Sequence, residues 1–511
     1  MAESESGNKR LAKNSLVLYI RMLVTMVIQL YTSRLVLQAL GVEDYGIYNV
    51  VGGVVLLLNS INASLSNANA RFIAVDIGRG DSNSMKRLFS CIMSIHYLFA
   101  LLILIVAETL GLWFVMNKLV IPETRMTAAF WVYQSAVLSS IITIISSPYN
   151  GLIIAHEKMT AFAVISIFDS VAKLIIAFSL FVSPFDRLIV YAILIVLIQL
   201  VERIIYAVYC KKKFQESKYK FIWDKGISKD VLSFAGWTLT GNVAVMGITQ
   251  GLNILLNIFF GAVVNAARGI AVQVQGACRM FVSGFQTAIN PQIIKTFSQN
   301  DFDRMHMLLN MSSRFSYYLM FLIALPICLN TQYILSLWLV KVPEYTAGFV
   351  QIMMIVSLIS TLQNPTMTAL HATGDIKTVQ IVESLLLISV IPIAYVFLKW
   401  GHISPIMVFV IYFIIEFITQ LVRVYMIYPK VYIRRRLYIS KIILPITIVT
   451  TFSTGACLSL NTFFKVSTFP ELIAISLAYI IITIITILIF GINHRERSYL
   501  INYVRSKIPT R

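Results

Sequence analysis

Charge is the first thing this chain lacks. Of its 511 residues only 13% are Asp, Glu, Lys or Arg, about half the ~25% of an ordinary globular chain. So little charge cannot clothe a water-soluble protein of this length, and 58% of the residues are hydrophobic. Acids are scarcest: 23 Asp and Glu stand against 42 Lys and Arg, for a formal net charge of +19. Spread over a soluble surface, that excess would point to nucleic acid; here it is sorted among the gaps between apolar runs, and no nucleic-acid partner is expected. The five cysteines (Cys91, Cys210, Cys278, Cys328, Cys457) are scattered, mostly within apolar runs, with no CxxC or Cys/His spacing. They read as small core residues, not as a disulfide framework or a metal site. No GxxxxGK[ST] loop is present, hence no ATPase module. No long outward loop carries clustered carboxylates, as a glycosyl-transferring or polymerising membrane enzyme would need. The opening segment "MAESESGNKRLAKNS" has no small-residue cleavage site and leads into a long helix that reads as retained.

What the chain does have is apolar runs. Stretches such as "VVGGVVLLLNSI" and "LFALLILIVAETLGLWFV" recur along its whole length, each extendable to the ~20 residues that cross a bilayer as a helix. Fourteen spans are predicted, at Leu16–Leu40, Gly46–Val75, Leu88–Val115, Met126–Ser146, Thr160–Val182, Leu188–Tyr209, Val231–Phe260, Asn265–Thr296, Met305–Leu329, Ala347–His371, Val379–Leu398, Pro405–Tyr428, Ile442–Leu460 and Glu471–Phe490. The fold class is all-α and integral to the membrane. Basic residues crowd alternate gaps: Arg79, Lys86 and Arg87; Lys158; Lys211 through Lys229; Lys295 and Arg304; Lys377; Lys430 with Arg434–Arg436; and the tail. The other gaps hold only Lys118, Arg125, Arg187, Lys341, Lys399, Lys465 and few others. By the positive-inside rule both termini and the basic loops are cytoplasmic. The segment "LGVEDYGIYN", Leu40 to Asn49, then falls outside as the tight turn between the first two helices. Gly41 and Gly46 are expected to let the backbone turn and Asp44 to cap the next helix.

Shifted by roughly 220 positions, the first two spans fall on the seventh and eighth, so that Gln29 meets Gln250 and Asn69 meets Asn290. A second match lays Ser147–Ala161 against Asn364–Thr378 and pairs Pro148 with Pro365. Both segments end an even-numbered span at a cytoplasmic loop. Two six-helix halves in the same orientation are expected, as in many transporters: residues 1–215, residues 216–430 opening with a basic linker, and residues 431–511 holding two further spans and a basic tail.

Polar residues inside the spans fall into stripes. In the eighth, Asn265, Arg268, Gln275, Arg279, Ser283, Gln286 and Asn290 share an arc of roughly 80° at 100° per residue. The second span carries Asn49, Asn59, Asn62, Ser66 and Asn69; the first Arg21, Thr25, Gln29 and Thr32; the seventh Asn242, Thr249, Gln250, Asn253 and Asn257. An aqueous cavity shared by these four helices is the expected geometry, with helix–helix hydrogen bonding the alternative. Ionisable groups at membrane depth cost at least ~2.5–3.5 kcal/mol on insertion scales, so each needs a cavity, a partner or a function. The cations are Arg21, Arg34, Arg268, Arg279 and Arg314, opposed by Asp169, Glu202, Glu383 and Glu416. Asp169 and Lys173, four residues apart, read as a structural ion pair. Glu202 and Arg203 lie near the interface, where they can snorkel. Glu416, inside "IYFIIEFITQ", has no cation within a turn; it needs a partner on another helix, a proton or a cation. Guanidinium groups in a polar cavity suit a phosphate-bearing substrate, because the planar fork binds phosphate oxygens bidentately.

These residues resemble a known family, the Wzx-type polysaccharide (O-antigen) flippases, in the superfamily that also holds the lipid II flippase and the multidrug and toxic compound extruders. The resemblance rests on "RLVLQALGVEDYGIYNVV", on "ARFIA" before the "GRGD" loop, on the "P…LIIAHEK" end of the fourth span, and on the span count. It implies a bilobed inner-membrane carrier of bacterial type that moves an undecaprenyl-diphosphate oligosaccharide to the periplasmic leaflet by alternating access, with the two extra helices forming a groove for the lipid tail. Arg21, Arg34, Arg268, Arg279 and Arg314 with Gln275, Asn59 and Asn62 are then the candidate substrate residues. The resemblance places a coupling Na⁺ or H⁺ among the seventh, eleventh and twelfth helices, with Asn242, Asn253, Glu383 and Glu416 as candidates. No other cofactor, no metal and no catalytic residue is expected. Partners would be membrane lipids, a polysaccharide polymerase and glycosyltransferases. The competing readings are a drug–cation antiporter of the same superfamily, disfavoured by the arginine-bearing stripe and the extra helices, and a membrane scaffold of envelope polysaccharide assembly.

Overall fold

The structure, a computed structural model, describes residues 2–79, 82–156, 158–433, 435–464 and 466–492. Among them there is no strand. The helices are α1 (Ala2–Arg79), α2 (Ser82–Val106), α3 (Leu112–Lys118), α4 (Met126–Ala155), α5 (Met159–Ser179), α6 (Arg187–Lys213), α7 (Lys225–Phe260), α8 (Ala262–Ser298) and α9 (Phe302–Leu329), then α10 (Thr331–Trp338), α11 (Thr346–Ser360), α12 (Gln363–Thr373), α13 (Lys377–Ile388), α14 (Val390–Gly401), α15 (Pro405–Lys430), α16 (Arg435–Tyr438), α17 (Leu444–Phe463) and α18 (Phe469–Thr486). Eleven stretches of the described residues are long and apolar enough to cross a membrane. The first of them, Arg21–Leu56, bends within α1 and so serves two of the predicted spans. In α7 the described stretch Val245–Phe260 is a shorter apolar helix, and α8 is more polar than these.

The bend in α1 is at Gly41, whose φ of 79° and ψ of 173° break the helix. Gly261, between α7 and α8, has φ 78° and ψ −172°. The two glycines stand at the offset of the internal repeat and hold the same left-sided conformation, which costs glycine no Cβ clash. The repeated prolines also act alike. Proline has no N–H, so it leaves the carbonyl four residues earlier without its helical donor. Below Pro148 that carbonyl is Ile144 O, and His96 Nδ1 of α2 lies 2.7 Å from it. Below Pro365 it is Thr361 O, and Gln286 Nε2 of α8 donates to it at 2.9 Å. In each half a side chain from another helix supplies the missing bond. His96 thereby carries its proton on Nδ1, and Nε2 accepts from Asn69 Nδ2 at 2.9 Å.

The chain forms two compact units. Unit one is Met1–Gly269 with Leu339–Pro343, and unit two is Ile270–Trp338 with Glu344–Arg511. This grouping by proximity differs from the repeat-based division at residues 215 and 216, because α7 and the start of α8 interlock with α1. A Cβ on Gly46 would lie 1.9 Å from Ala262 O, so the turn after Gly261 rests directly on the α1 backbone. Asn253 Nδ2 donates to Asn49 O at 3.1 Å. Asn257 bonds both polar groups of the Val120 backbone, at 2.9 Å and 3.3 Å.

The segment "LGVEDYGIYN" is therefore only partly the turn expected of it. Gly41 turns the chain, but Gly46 sits in regular helix and is needed for close approach. Asp44 caps nothing: its carboxylate takes two bonds from Arg125, at 2.8 Å and 2.6 Å. Arg125 also binds Asp186, at 2.5 Å and 3.2 Å, and Asp186 in turn caps α6 by accepting from Leu188 N and Ile189 N. One guanidinium thus ties together the ends of three helical hairpins. Burial pushes the Asp186 carboxyl up, but the Arg125 bond and the two backbone donors outweigh it and hold the group below its ordinary value.

Gly46→Ala is expected to lower the thermal unfolding midpoint of the detergent-purified protein, by overpacking that costs about 1–3 kcal/mol. Gly52→Ala, whose Cβ would meet nothing within 4 Å, is expected to leave the midpoint unchanged or raise it.

Candidate functional site

In unit one, α1, α4, α5 and α6 line a half-open polar cavity of about 280 Å³ with Asn62, Ser66, Thr143, Ser146, Ser147, Asn150, Lys173, Gln199, Glu202 and Tyr206 in its wall. A second, of about 210 Å³, shares Thr143 and Gln199 with it and reaches Tyr48, Asn49 and Gly52. The polar wall follows from spacing. Gln199, Glu202 and Tyr206 lie three and four residues apart on one face of α6, as do Ser147 and Asn150 on α4. Of the candidate substrate residues Asn62 lines this cavity, and the side chain of Asn59 lies outside the described residues. Lys173 Nζ is 2.7 Å from Asp169 Oδ2, and Lys173 also faces the cavity. Glu202 joins the cavity wall, while Arg203 packs its guanidinium 4.3 Å from the centre of the Tyr149 ring.

The arginines meet different fates. Arg21 lies over the Phe162 ring at 4.7 Å and donates to Ser166 Oγ at 3.4 Å. Arg34 is half-buried and engaged within the protein. Arg268 is buried and donates to Thr249 O of α7 at 2.5 Å. Arg314, 3% exposed, donates to Gly491 O at 3.1 Å, where Tyr318 also donates. It closes the carbonyl end of the last helix, a partner that sequence spacing could not reveal.

The stripe on α8 is not the continuous wet face expected of it. Asn265, fully buried, bonds Asn253 twice at 2.7 Å. Gln275 donates to Ser357 Oγ at 2.8 Å, Gln286 to Thr361 O and Asn290 to Asn364 Oδ1 at 3.0 Å. Ser283 turns back to its own helix at Met280 O. The stripe is largely a zipper of interhelical hydrogen bonds, because an amide at this depth gains more from a neighbouring helix than from lipid. Among the described stripe residues, Arg279 is the cation whose side chain is exposed.

Of the candidate coupling residues, Glu416 and Glu383 lie in unit two, Asn253 belongs to unit one with its amide committed to Asn49 and Asn265, and the Asn242 side chain lies outside the described residues. Glu383 is buried and bound: Arg423 Nη2 lies 2.5 Å from its Oε1, and Gln363 Nε2 donates at 2.6 Å. Arg423, also bonded to Gln420, is taken up here and not by Glu416. Glu416 is 3% exposed, accepts from Ser360 Oγ at 3.5 Å, and stands within electrostatic reach of Arg423 and Arg279. Its partners are on α8, α11 and α15, so the spacing within its own helix could not show all of them.

An all-α chain of repeated six-helix halves with two added helices, polar stripes and buried ion pairs defines a multi-pass membrane protein. The polysaccharide biosynthesis protein family matches residues 11–297, more than half of the chain, and the chain belongs to that family. The fold is similar to that of the lipid II flippase MurJ in an inward closed conformation, with a TM-score of 0.71 at 15% identity over 93% of this chain and 98% of the other. It is also similar to a multidrug resistance MATE family transporter of the MOP superfamily in an inward-facing conformation (TM-score 0.66, 14% identity, 80% and 96% covered). A third likeness is to a MOP superfamily transporter from Pyrococcus furiosus described as having a binding pocket of reverse polarity (TM-score 0.58, 15% identity, 80% and 94% covered). A comparison with curated proteins gives no match.

Breaking a buried ion pair leaves an uncompensated charge, at about 3–5 kcal/mol. Arg423→Ala is thus expected to lower the unfolding midpoint much more than Arg279→Ala does. Equal loss in the two variants would show that Arg279 is as structural as Arg423.

Proposed function

We propose that this protein flips a lipid-linked oligosaccharide, an undecaprenyl-diphosphate-linked polysaccharide repeat unit, from the cytoplasmic to the periplasmic leaflet of a bacterial inner membrane, with both its termini cytoplasmic. Family membership and a fold like that of a lipid II flippase support the class of function. The observation that carries the substrate is Arg279. Arg268 and Arg314 spend their guanidinium groups on backbone carbonyls, whereas Arg279 is exposed on the polar face of α8 and offers a planar fork to phosphate oxygens. Arg21 and Arg34 are the further candidates on α1. A polysaccharide polymerase and glycosyltransferases are the expected partners upstream and downstream.

The energy comes from the membrane. A diphosphate moving outward carries about two negative charges, and an inside-negative potential contributes ~2.3 kcal/mol per charge per 100 mV when the full field is crossed. The loaded step then runs downhill, and inward Na⁺ or H⁺ resets the empty carrier. Flipping that persists unchanged when the potential and both ion gradients are collapsed would rule this out.

The test is flipping of a fluorescent undecaprenyl-diphosphate glycan in proteoliposomes. Wild type is expected to move it, and Arg279→Ala to slow it by about 10- to 100-fold, the loss of one or two charge-assisted hydrogen bonds, with the same unfolding midpoint. Transport of an organic cation and not of the lipid would make the protein a drug extruder instead.

A further inference from the structure

The cavity inside unit one differs in chemistry from the face of α8 that carries Arg279. Three of its wall residues hold buried acceptor oxygens with no partner among the described residues, Asn62 Oδ1, Asn150 Oδ1 and Gln199 Oε1, and Asp169 Oδ1 beside it is a fourth. Orphaned acceptors at this depth call for donors. The charges around them leave one carboxylate over. Asp169 and Lys173 neutralise each other at 2.7 Å. Glu202 makes no ion pair among the described residues, stands within electrostatic reach of both, and hydrogen-bonds with Tyr206. Arg21, the next charged group, reaches Tyr206 electrostatically but is turned onto Ser166 and Phe162.

A metal cation fits poorly. It would share the cavity with the Lys173 ammonium, and among the described residues no group of three or more His, Cys, Asp or Glu is placed to hold one. At about 280 Å³ the space admits several waters, each taking about 30 Å³, so its walls do not close round a bare ion at the about 2.0–2.6 Å that hard cations demand. A proton needs only a carboxylate, water to deliver it and a charge that settles the site when it leaves.

We propose that Glu202 carries the coupling proton of this transporter. A hydronium ion in the cavity gives its proton to a Glu202 carboxylate oxygen, and the new O–H donates to one of the orphaned amide oxygens; on release the O–H breaks, the proton returns to water and no electrons are exchanged. With Glu202 ionised, the Lys173 ammonium is shared between two carboxylates; with Glu202 neutral, it belongs to Asp169 alone. Loading therefore rearranges the bonds among α1, α4, α5 and α6. The inference rests on the reading of the chain as an ion-coupled flippase, and names its ion and the group that binds it.

Two measurements keep the two readings separable. In lipid nanodiscs, pH-difference infrared spectra of wild type are expected to show a protonated-carboxyl C=O band growing as the pH falls, absent in Glu202→Gln and moved in frequency in Glu202→Asp. In proteoliposomes an imposed pH gradient is expected to speed wild-type flipping several-fold and to have no effect on Glu202→Gln of unchanged unfolding midpoint; Glu202→Asp recovers the response and covers the case in which the amide is not tolerated. A band and a gradient response that both survive in Glu202→Gln overturn the proposal, as does a Na⁺ gradient that drives wild type but not Glu202→Gln. If wild type does not flip the lipid but the band is present and lost in Glu202→Gln, the flipping reading fails and the proton site stands.

Discussion

A polar group placed in hydrocarbon has no water to bond, and the cost of leaving it unpaired exceeds almost anything packing can return. Most of this structure follows from that constraint. Pro148 and Pro365 each strip a carbonyl of its helical donor, and His96 and Gln286 are brought across from other helices to replace it. Glycines allow the close approach that such bonds need: without Gly46 the turn at Ala262 could not rest on α1, and Asn253 and Asn257 would not reach their backbone partners. The same rule places Arg125 between Asp44 and Asp186, and Arg423 against Glu383.

The constraint also sorts structural charge from available charge. Arg268 and Arg314 look as functional in the sequence as Arg279 does, yet each is consumed by a carbonyl at a helix end or on a neighbouring helix. Arg314 is a fixture of the last helix, since Gly491 O receives both it and Tyr318. What stays uncommitted is therefore more informative than what is merely polar. On α8 the exposed cation is Arg279, although it stands within electrostatic reach of Glu416; in unit one what stays uncommitted is a set of acceptor oxygens around Glu202. The first suits an anion and the second a proton.

Much of the architecture was legible in the residues. The count of spans, their soft boundaries, the proline match of the repeat and the Asp169–Lys173 pair all depend on interactions a few residues long or on the length of an apolar run. The candidate site was legible only in its composition. The stripe on α8 was visible as an arc, but whether Gln275 and Gln286 face water or Ser357 and Thr361 depends on where α11 and α12 lie. Glu202 was assigned to the interface, although Gln199 and Tyr206 on the same face of α6 were a signal that this face is wet.

Sequence by itself determined that the chain lives in a membrane, that it is helical throughout, that it is built on a repeat, and that several charges are buried in it; hydropathy, periodicity and charge sorting are local sums that need no neighbour. Only the tertiary structure decided which charge meets which partner. Asp44 met Arg125, Glu383 met Arg423 and Arg314 met the end of the last helix, each across 40 or more positions of chain. Those choices are made by three-dimensional proximity under a low dielectric, which no window along the chain can contain.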